Sequence, residues 1–263
     1  MQSLIVIPAR YASTRFPGKP LALIKGRTLL ERTWQIARAS GADQVVVATD
    51  DDRIEEACRS FSAEVVRTDS ECANGTERVH QALASLGSPA EIVLNLQGDA
   101  VLTPPWVLSA LIDVMKADSQ VAMATPAVKI SVDQYRQLKS QKDSGIVGGT
   151  MVVFDRQHNA LYFSKSMIPF LRSTGGGEPP LYRHIGLYAY RRDTLEKYLS
   201  LEQGELEKTE GLEQLRALEN GIGIRVVVVD YQGRTHGSVD SETDVPIVEA
   251  IIESEGELVP QPV

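Results

Sequence analysis

Directly after the apolar stretch "LIVI", and before any segment of helical period, the chain carries "PARYASTRFPGKP", which places Arg10, Ser13, Arg15 and Lys19 in one loop with Gly18. Arginine offers a planar fork of donors, lysine a mobile point charge, and loop N–H groups can fill the remaining acceptor sites of phosphate oxygens. Together they suit a polyphosphate. The two common phosphate signatures are absent: Lys19 is followed by Pro20 rather than Ser or Thr, and no G-x-G-x-x-G follows the first apolar stretch. The pattern therefore excludes an ordinary P-loop or dinucleotide-binding unit.

Two acidic positions could complement those cations. "EIVLNLQGDA" puts Asp99 just beyond an apolar run, and "HGSVDSETD" puts Asp240 ahead of the last helical segment. Magnesium takes one or two carboxylates beside substrate phosphates, so this pair would suffice. An aspartate before a helix is also an ordinary N-cap, and on residue type alone that is the better reading of Asp240. In "ANGTERVHQ", Asn74, Gly75, Thr76 and Arg78 stand at a loop-to-helix junction that could face an anion or a base edge, or could simply cap the helix. "LYRHIGLYAYR" gathers Arg183, His184, Tyr188 and Tyr190, and "GLEQLRAL" adds Glu213, Gln214 and Arg216. A lone histidine such as His184 is more often structural than catalytic.

Positioning these residues requires a sheet. β-branched runs alternate with segments of helical period, the signature of a mostly parallel sheet with helices on its faces. The spacing predicts strands at "SLIVI", "QVVVAT", "AEVVR", "EIVLNL" and "QVAMATPAV", with helices near residues 28–39, 51–60, 76–86 and 104–116. The fold class expected is α/β, a Rossmann-like mostly parallel sheet, whose ligands lie beyond the carboxyl ends of its strands. The second half adds a mixed or antiparallel elaboration, read from "TMVVFD", "ALYFS" and "RHIGLYAYR", followed by a helix near residues 211–220, the strand "GIRVVVVD" and a last helix near 243–254. One domain over residues 1–263 is expected, with the elaboration at roughly 145–220.

Composition narrows the partners. With 43% hydrophobic and 24% charged residues the chain is that of a globular protein. A formal net charge of -8 argues against broad adhesion to nucleic acid or anionic membrane. No apolar run reaches the length of a membrane span, so a cytoplasmic protein without membrane insertion is expected. Cys58 and Cys72 have neither disulfide-framework nor zinc spacing.

Over nearly its whole length the chain resembles the 3-deoxy-manno-octulosonate cytidylyltransferases, the CMP-Kdo synthetases of the bacterial lipopolysaccharide pathway. The resemblance rests on "IPARYASTRFPGKPL", "VATDDDRI", "NGTERV", "NLQGD", "ALYFSKSMIP", "YRHIGLYAYR", "LEQLRAL" and "VDSETD", in that order. It implies a sugar-nucleotide transferase fold, a homodimer formed through the elaboration, CTP and an acidic sugar as reactants, and magnesium. Carried over position by position, it makes Arg10, Ser13 and Lys19 contacts of the triphosphate, with Arg15 facing the reacting phosphate. It sets Asn74, Gly75, Arg78 and Gln97 around the nucleotide, Asp99 and Asp240 on magnesium, and Arg15, Lys19 and Asp99 at the reacting centre. Lys165, His184, Tyr188, Glu213 and Gln214 would form the acceptor pocket.

The chain departs from the family pattern in three places. Ala100 and Val101 replace the usual Glu-Pro after "QGD", Lys165 replaces an arginine after "YFS", and the family's Asn-x-x-Lys aligns with Gly148 to Met151. All three lie on the acceptor side. The reading is a cytidylyltransferase for a Kdo-like acidic sugar. Activation of another sugar acid, and a catalytically quiet CTP- or CMP-sugar-binding paralogue, are its rivals.

Overall fold

A computed structural model of the chain describes residues 1–12, 16–145, 148–172 and 178–259. They form two compact units, one made of Met1–Ile112 with Tyr231–Val263 and the other of Asp113–Asp230.

In the first unit β1 (Ser3–Pro8) is buried on both faces, which is why it reads as an unbroken apolar run. A hairpin of β2 (Leu23–Ile24) and β3 (Arg27–Thr28) leads to α1 (Leu29–Ala39), capped by Thr28, whose hydroxyl accepts from the Glu31 N–H at 3.1 Å. Then follow β4 (Gln44–Thr49), α2 (Asp52–Ser60), β5 (Glu64–Arg67), α3 (Gly75–Leu86), β6 (Ile92–Asn95) and α4 (Pro105–Ala117). The strands pair in parallel in the order β5-β4-β1-β6. The chain thus winds outward from β1 and returns on its other side at β6, and the crevice between β1 and β6 is the topological switch point where open sheets of this kind bind ligands. The hydrophobic pattern does not predict the two-residue strands of the hairpin; the other strands and helices stand where it predicts them, to within a few residues.

In the second unit β7 (Met123–Lys129) is central and is followed by α5 (Val132–Asp143), β8 (Met151–Phe154), β9 (Ala160–Ser164), β10 (Tyr182–His184) and β11 (Tyr188–Arg191). Helices α6 (Arg192–Leu199), α7 (Glu205–Glu210) and α8 (Gln214–Glu219) precede β12 (Ile224–Val229), which runs parallel to β7. β10, β11, β8 and β9 pair antiparallel, as the alternating pattern predicts. The chain then returns to the first unit for α9 (Asp244–Glu255).

Two further details differ from the sequence reading. "RHIGLYAYR" is two strands rather than one: His184 pairs with Ala127 and Ala189 with Ala124, so four residues face two and the register breaks. The cause is Pro126, which has no N–H to donate at that point. The Thr125 hydroxyl instead bonds the carbonyls of Ile185 and Leu187, at 3.3 and 2.8 Å. The pattern also gave no sign of α5, α6 and α7. All three are strongly polar, α6 and α7 are also short, and α5 is fixed by a capping box between Ser131 and Gln134 rather than by a broad apolar face.

Among the described residues, no helix is long and apolar enough to cross a membrane. Cys58 is buried and Cys72 half-buried, both as free thiols.

Candidate functional site

The switch point of the first unit opens into a cleft of about 270 Å³. Its walls carry Arg10, Lys19, Asn74, Gly75, Arg78, Gln97 and Asp99, so seven residues nominated from the sequence share one cavity. Ser13 and Arg15 lie outside the described residues.

Arg10 is delivered by β1, whose path is extended when the Ala9 N–H bonds the Ala48 carbonyl at 2.9 Å. The loop beyond it is closed by the Gly18 N–H on the Tyr11 carbonyl, also at 2.9 Å. Gly18 has φ +72°, and a β-carbon there would lie 3.0 Å from the Tyr11 ring. Only glycine meets both demands, and the turn it makes starts the short 3₁₀ segment Lys19–Leu21. The Lys19 ammonium then donates to Asp99 Oδ2 at 2.6 Å and to the Val239 carbonyl at 3.1 Å.

Asp99 sits in the turn after β6. Its carbonyl accepts the Val239 N–H at 3.4 Å, which sets the Asp240 segment beside it. Asp240 is not the cap of α9: Thr243 holds that position. Asp244 does the tying of this loop, since its Oδ2 accepts from the N–H groups of Asp240 and Ser241 at 2.9 and 2.8 Å. The Ser241 N–H, working against burial and helped by the Asp240 N–H, the Ser241 hydroxyl and the Lys19 charge, holds the Asp244 carboxyl below its ordinary range. The Asp240 carboxylate accepts from the Ser238 hydroxyl at 3.3 Å.

No group of three or more His, Cys, Asp or Glu able to hold a metal occurs among the described residues. Asp99 and Asp240 supply two hard oxygen donors on adjoining segments. That is too few for a zinc or calcium cage and is the number magnesium uses beside phosphate oxygens, so the donor set fits magnesium.

Asn74 caps α3, its Oδ1 accepting the Glu77 N–H at 2.9 Å, so the capping alternative is realised while the residue also lines the cleft. Gly75 is there because a β-carbon would meet the Gln97 amide at 3.2 Å and Pro8 at 3.3 Å. Gln97 donates to Asn95, and Asn95 in turn to the Thr76 hydroxyl, at 3.1 and 3.2 Å. Arg78 is buried and paired with Asp50 at 2.9 Å and with the Thr68 hydroxyl. Its charge reaches the cleft already half-committed, which residue type alone did not show.

The acceptor candidates all fall in the second unit. His184 Nε2 lies 2.8 Å from the Thr125 hydroxyl, with its ring against Phe163 and Tyr188. The Tyr188 hydroxyl donates to Gln214 Oε1 at 2.9 Å. Burial first, and then the Glu213 charge, push the Tyr188 phenol well above its ordinary value, so it stays a hydrogen-bond donor. Gln214 is 1% exposed, yet its amide nitrogen has no acceptor among the described residues. Buried donors in this condition are rare and call for a partner. Lys165 lies beside Gly211, its Nζ 3.2 Å from where a β-carbon there would stand.

With this geometry the comparisons agree. Residues 4–225 match the cytidylyltransferase family. The chain belongs to that family. Among its relatives, the 3-deoxy-manno-octulosonate cytidylyltransferase of Maricaulis maris (strain MCS10) is 54% identical over 260 residues, covering 98% of this chain and 100% of that one. The 8-amino-3,8-dideoxy-manno-octulosonate cytidylyltransferase of Shewanella pealeana is 41% identical over 253 residues, covering 95% and 98%. A solved CMP:2-keto-3-deoxy-manno-octonic acid synthetase in complex with CTP superposes with a TM-score of 0.84 at 33% identity, covering 97% of this chain and all of that one. The resemblance carried by the sequence motifs is thereby shown.

Proposed function

We propose that the chain transfers the cytidylyl group of CTP to the anomeric hydroxyl of a 3-deoxy-ulosonic acid. The hydroxyl oxygen forms a bond to the α-phosphorus as the bond to the bridging oxygen breaks. Pyrophosphate leaves with the electron pair, and the hydroxyl proton passes to solvent. The observation that carries this reading is the cleft at the switch point, whose walls carry Arg10, Arg78 and the Lys19–Asp99 ion pair. Cations placed around a transferring phosphoryl group stabilise charge that grows in the transition state and on the leaving group.

Arg10 and Lys19 hold the triphosphate, with Ser13 and Arg15 joining them, while Asn74, Gly75, Arg78 and Gln97 frame the nucleotide. Asp99 and Asp240 hold magnesium, which when bound supplies further positive charge at the phosphates. Lys165, His184, Tyr188, Glu213 and Gln214 receive the sugar acid, and the unpartnered Gln214 amide supports that assignment. The whole chain acts as one nucleotidyltransferase domain, a cytoplasmic homodimer feeding lipopolysaccharide or surface-polysaccharide synthesis, with residues 145–220 serving acceptor binding and dimerisation. The exposed Leu161 and Phe170 of that region support a buried partner surface.

The test is pyrophosphate release from CTP and magnesium with 3-deoxy-manno-octulosonic acid, its 8-amino-8-deoxy analogue and a nonulosonic acid. Release with one of the two octulosonic acids well above the nonulosonic acid is expected. Tight CTP binding without release with any of them would replace the enzyme by a quiet nucleotide-binding paralogue.

A further inference from the structure

Several charged groups of the second unit gather near the ends of β8, β9 and β10, where sequence reasoning singled out Lys165 and Arg183 but not Lys142. Arg183 on β10 is opposite Met151 on β8, and Met151 is opposite Ser164 on β9, so the three form one row across the sheet. Lys165 follows Ser164. Glu210 fixes this corner, accepting from the Ser164 hydroxyl at 2.7 Å and from the Lys165 N–H at 2.9 Å. Lys142 arrives from the last turn of α5, and its ammonium donates to the Gly148 carbonyl at 2.7 Å. The lead-in to β8 is held against α5 there: Gly149 has φ +75°, and a β-carbon on it would stand 2.7 Å from Leu138. A lysine from a helix is thus pinned three residues ahead of Met151.

Lys142 and Lys165 are both half-buried, and neither ammonium has a carboxylate within ion-pair distance among the described residues. Burial, and after it the charges of Arg183 and Lys165, hold Lys142 below the ordinary lysine range, opposed by Glu210. Half-buried like charges without an anionic partner are unfavourable, and an incoming anion relieves them.

We propose that Lys142, with Lys165 and Arg183, binds the carboxylate of the acidic acceptor sugar. Met151, where the family pattern has a lysine, is buried among Ile130, Tyr135 and Leu181 and offers no charge. Lys142 brings that charge to the same strand from a different element. This rests on the reading of the chain as a sugar-acid cytidylyltransferase.

The experiment compares the full-length chain with its Lys142→Met and Lys142→Arg variants, using 3-deoxy-manno-octulosonic acid and its C1 methyl ester with CTP. A charge-assisted contact of this kind corresponds to roughly a ten- to hundredfold effect. Lys142→Met should raise the KM for the acid by that factor, leave the KM for CTP unchanged and leave turnover of the ester unchanged, while Lys142→Arg restores most of the loss. The acid should also protect Lys142 of the unmodified chain from reductive methylation, read by peptide mass spectrometry. An unchanged KM for the acid, equal losses on acid and ester, or no protection would overturn the proposal. Protection of Lys142 by the acid in a chain that releases no pyrophosphate would overturn the enzymatic reading and still support the carboxylate site.

Discussion

Lys19 and Asp99, 80 residues apart in sequence, form an ion pair of 2.6 Å, and the same ammonium reaches the Val239 carbonyl at 3.1 Å. One lysine therefore links the loop after β1, the turn after β6 and the segment carrying Asp240. In the proposed reaction the same groups serve the triphosphate and its metal. Truncating a charged partner of this kind costs about 2 to 5 kcal/mol, so Lys19→Ala should lower kcat/KM for CTP roughly 30-fold to a few thousand-fold. Calorimetry and steady-state kinetics with CTP check this, and unchanged values would return the loop to ordinary surface.

Asp99→Asn and Asp240→Asn should each keep the fold and remove most turnover, because asparagine keeps the shape and loses the charge a divalent ion needs. Chelation of divalent ions should stop pyrophosphate release, with magnesium restoring it. Near-normal rates in either variant, or insensitivity to chelator, would remove the metal assignment.

Gly75→Ala gives a steric test of the cleft. The added methyl would meet Gln97 at 3.2 Å and Pro8 at 3.3 Å, both of which line the cavity. Overpacking of this order costs about 1 to 3 kcal/mol, and here it falls on the ligand side. The KM for CTP should rise about tenfold or more while thermal stability changes little. A large drop in Tm with unaltered KM would make Gly75 a folding residue instead.

Gln214→Leu removes a buried donor that has no protein acceptor together with the acceptor of the Tyr188 hydroxyl. Losing the first is favourable and orphaning the second is not, so net stability should change by less than about 2 kcal/mol. The KM for the sugar acid should nevertheless rise, with that for CTP unaffected. Equal KM values for the acceptor in both forms would take Gln214 out of the pocket.

Glu257 predicts an acid-side weakness. Its carboxylate bonds Arg27 and Arg32, each at 2.7 Å, and both arginines are buried. Burial pushes the carboxyl upward, but the hydrogen bonds and charges of Arg32 and Arg27 outweigh it and hold it below its ordinary value. A depressed carboxyl contributes stability that is present above its unfolded-state value, about 4.3, and is lost as pH falls through the lower folded value. Glu257→Gln should therefore lower Tm at pH 7 and reduce the difference in Tm between pH 7 and acid. An unchanged pH dependence would show that the pair carries no linkage.

The sequence by itself determined the parallel sheet of the first unit, because β1, β4 and β6 are buried on both faces and read as continuous apolar runs alternating with segments of helical period. It also determined that the loops after β1 and β6 share one sheet edge, since the chain direction delivers Arg10 and Asp99 there, and both line the same cleft. It left the capping and ligand readings of Asn74 equal. Only the fold showed that Asn74 caps α3, that Asp244 rather than Asp240 ties the loop before α9, and that Arg78 enters the cleft already paired with Asp50. The break between β10 and β11 was equally hidden, because it arises on a neighbouring strand, at Pro126. Lys142 shows the limit most plainly. Nothing in "SQKDSG" separates it from the other lysines of a polar helix, and what singles it out is a carbonyl, two cations and a carboxylate brought near it by four other segments. Local pattern fixes which way a residue faces, whereas the company it keeps is set by contacts between segments distant in sequence, and those exist only once the chain has folded.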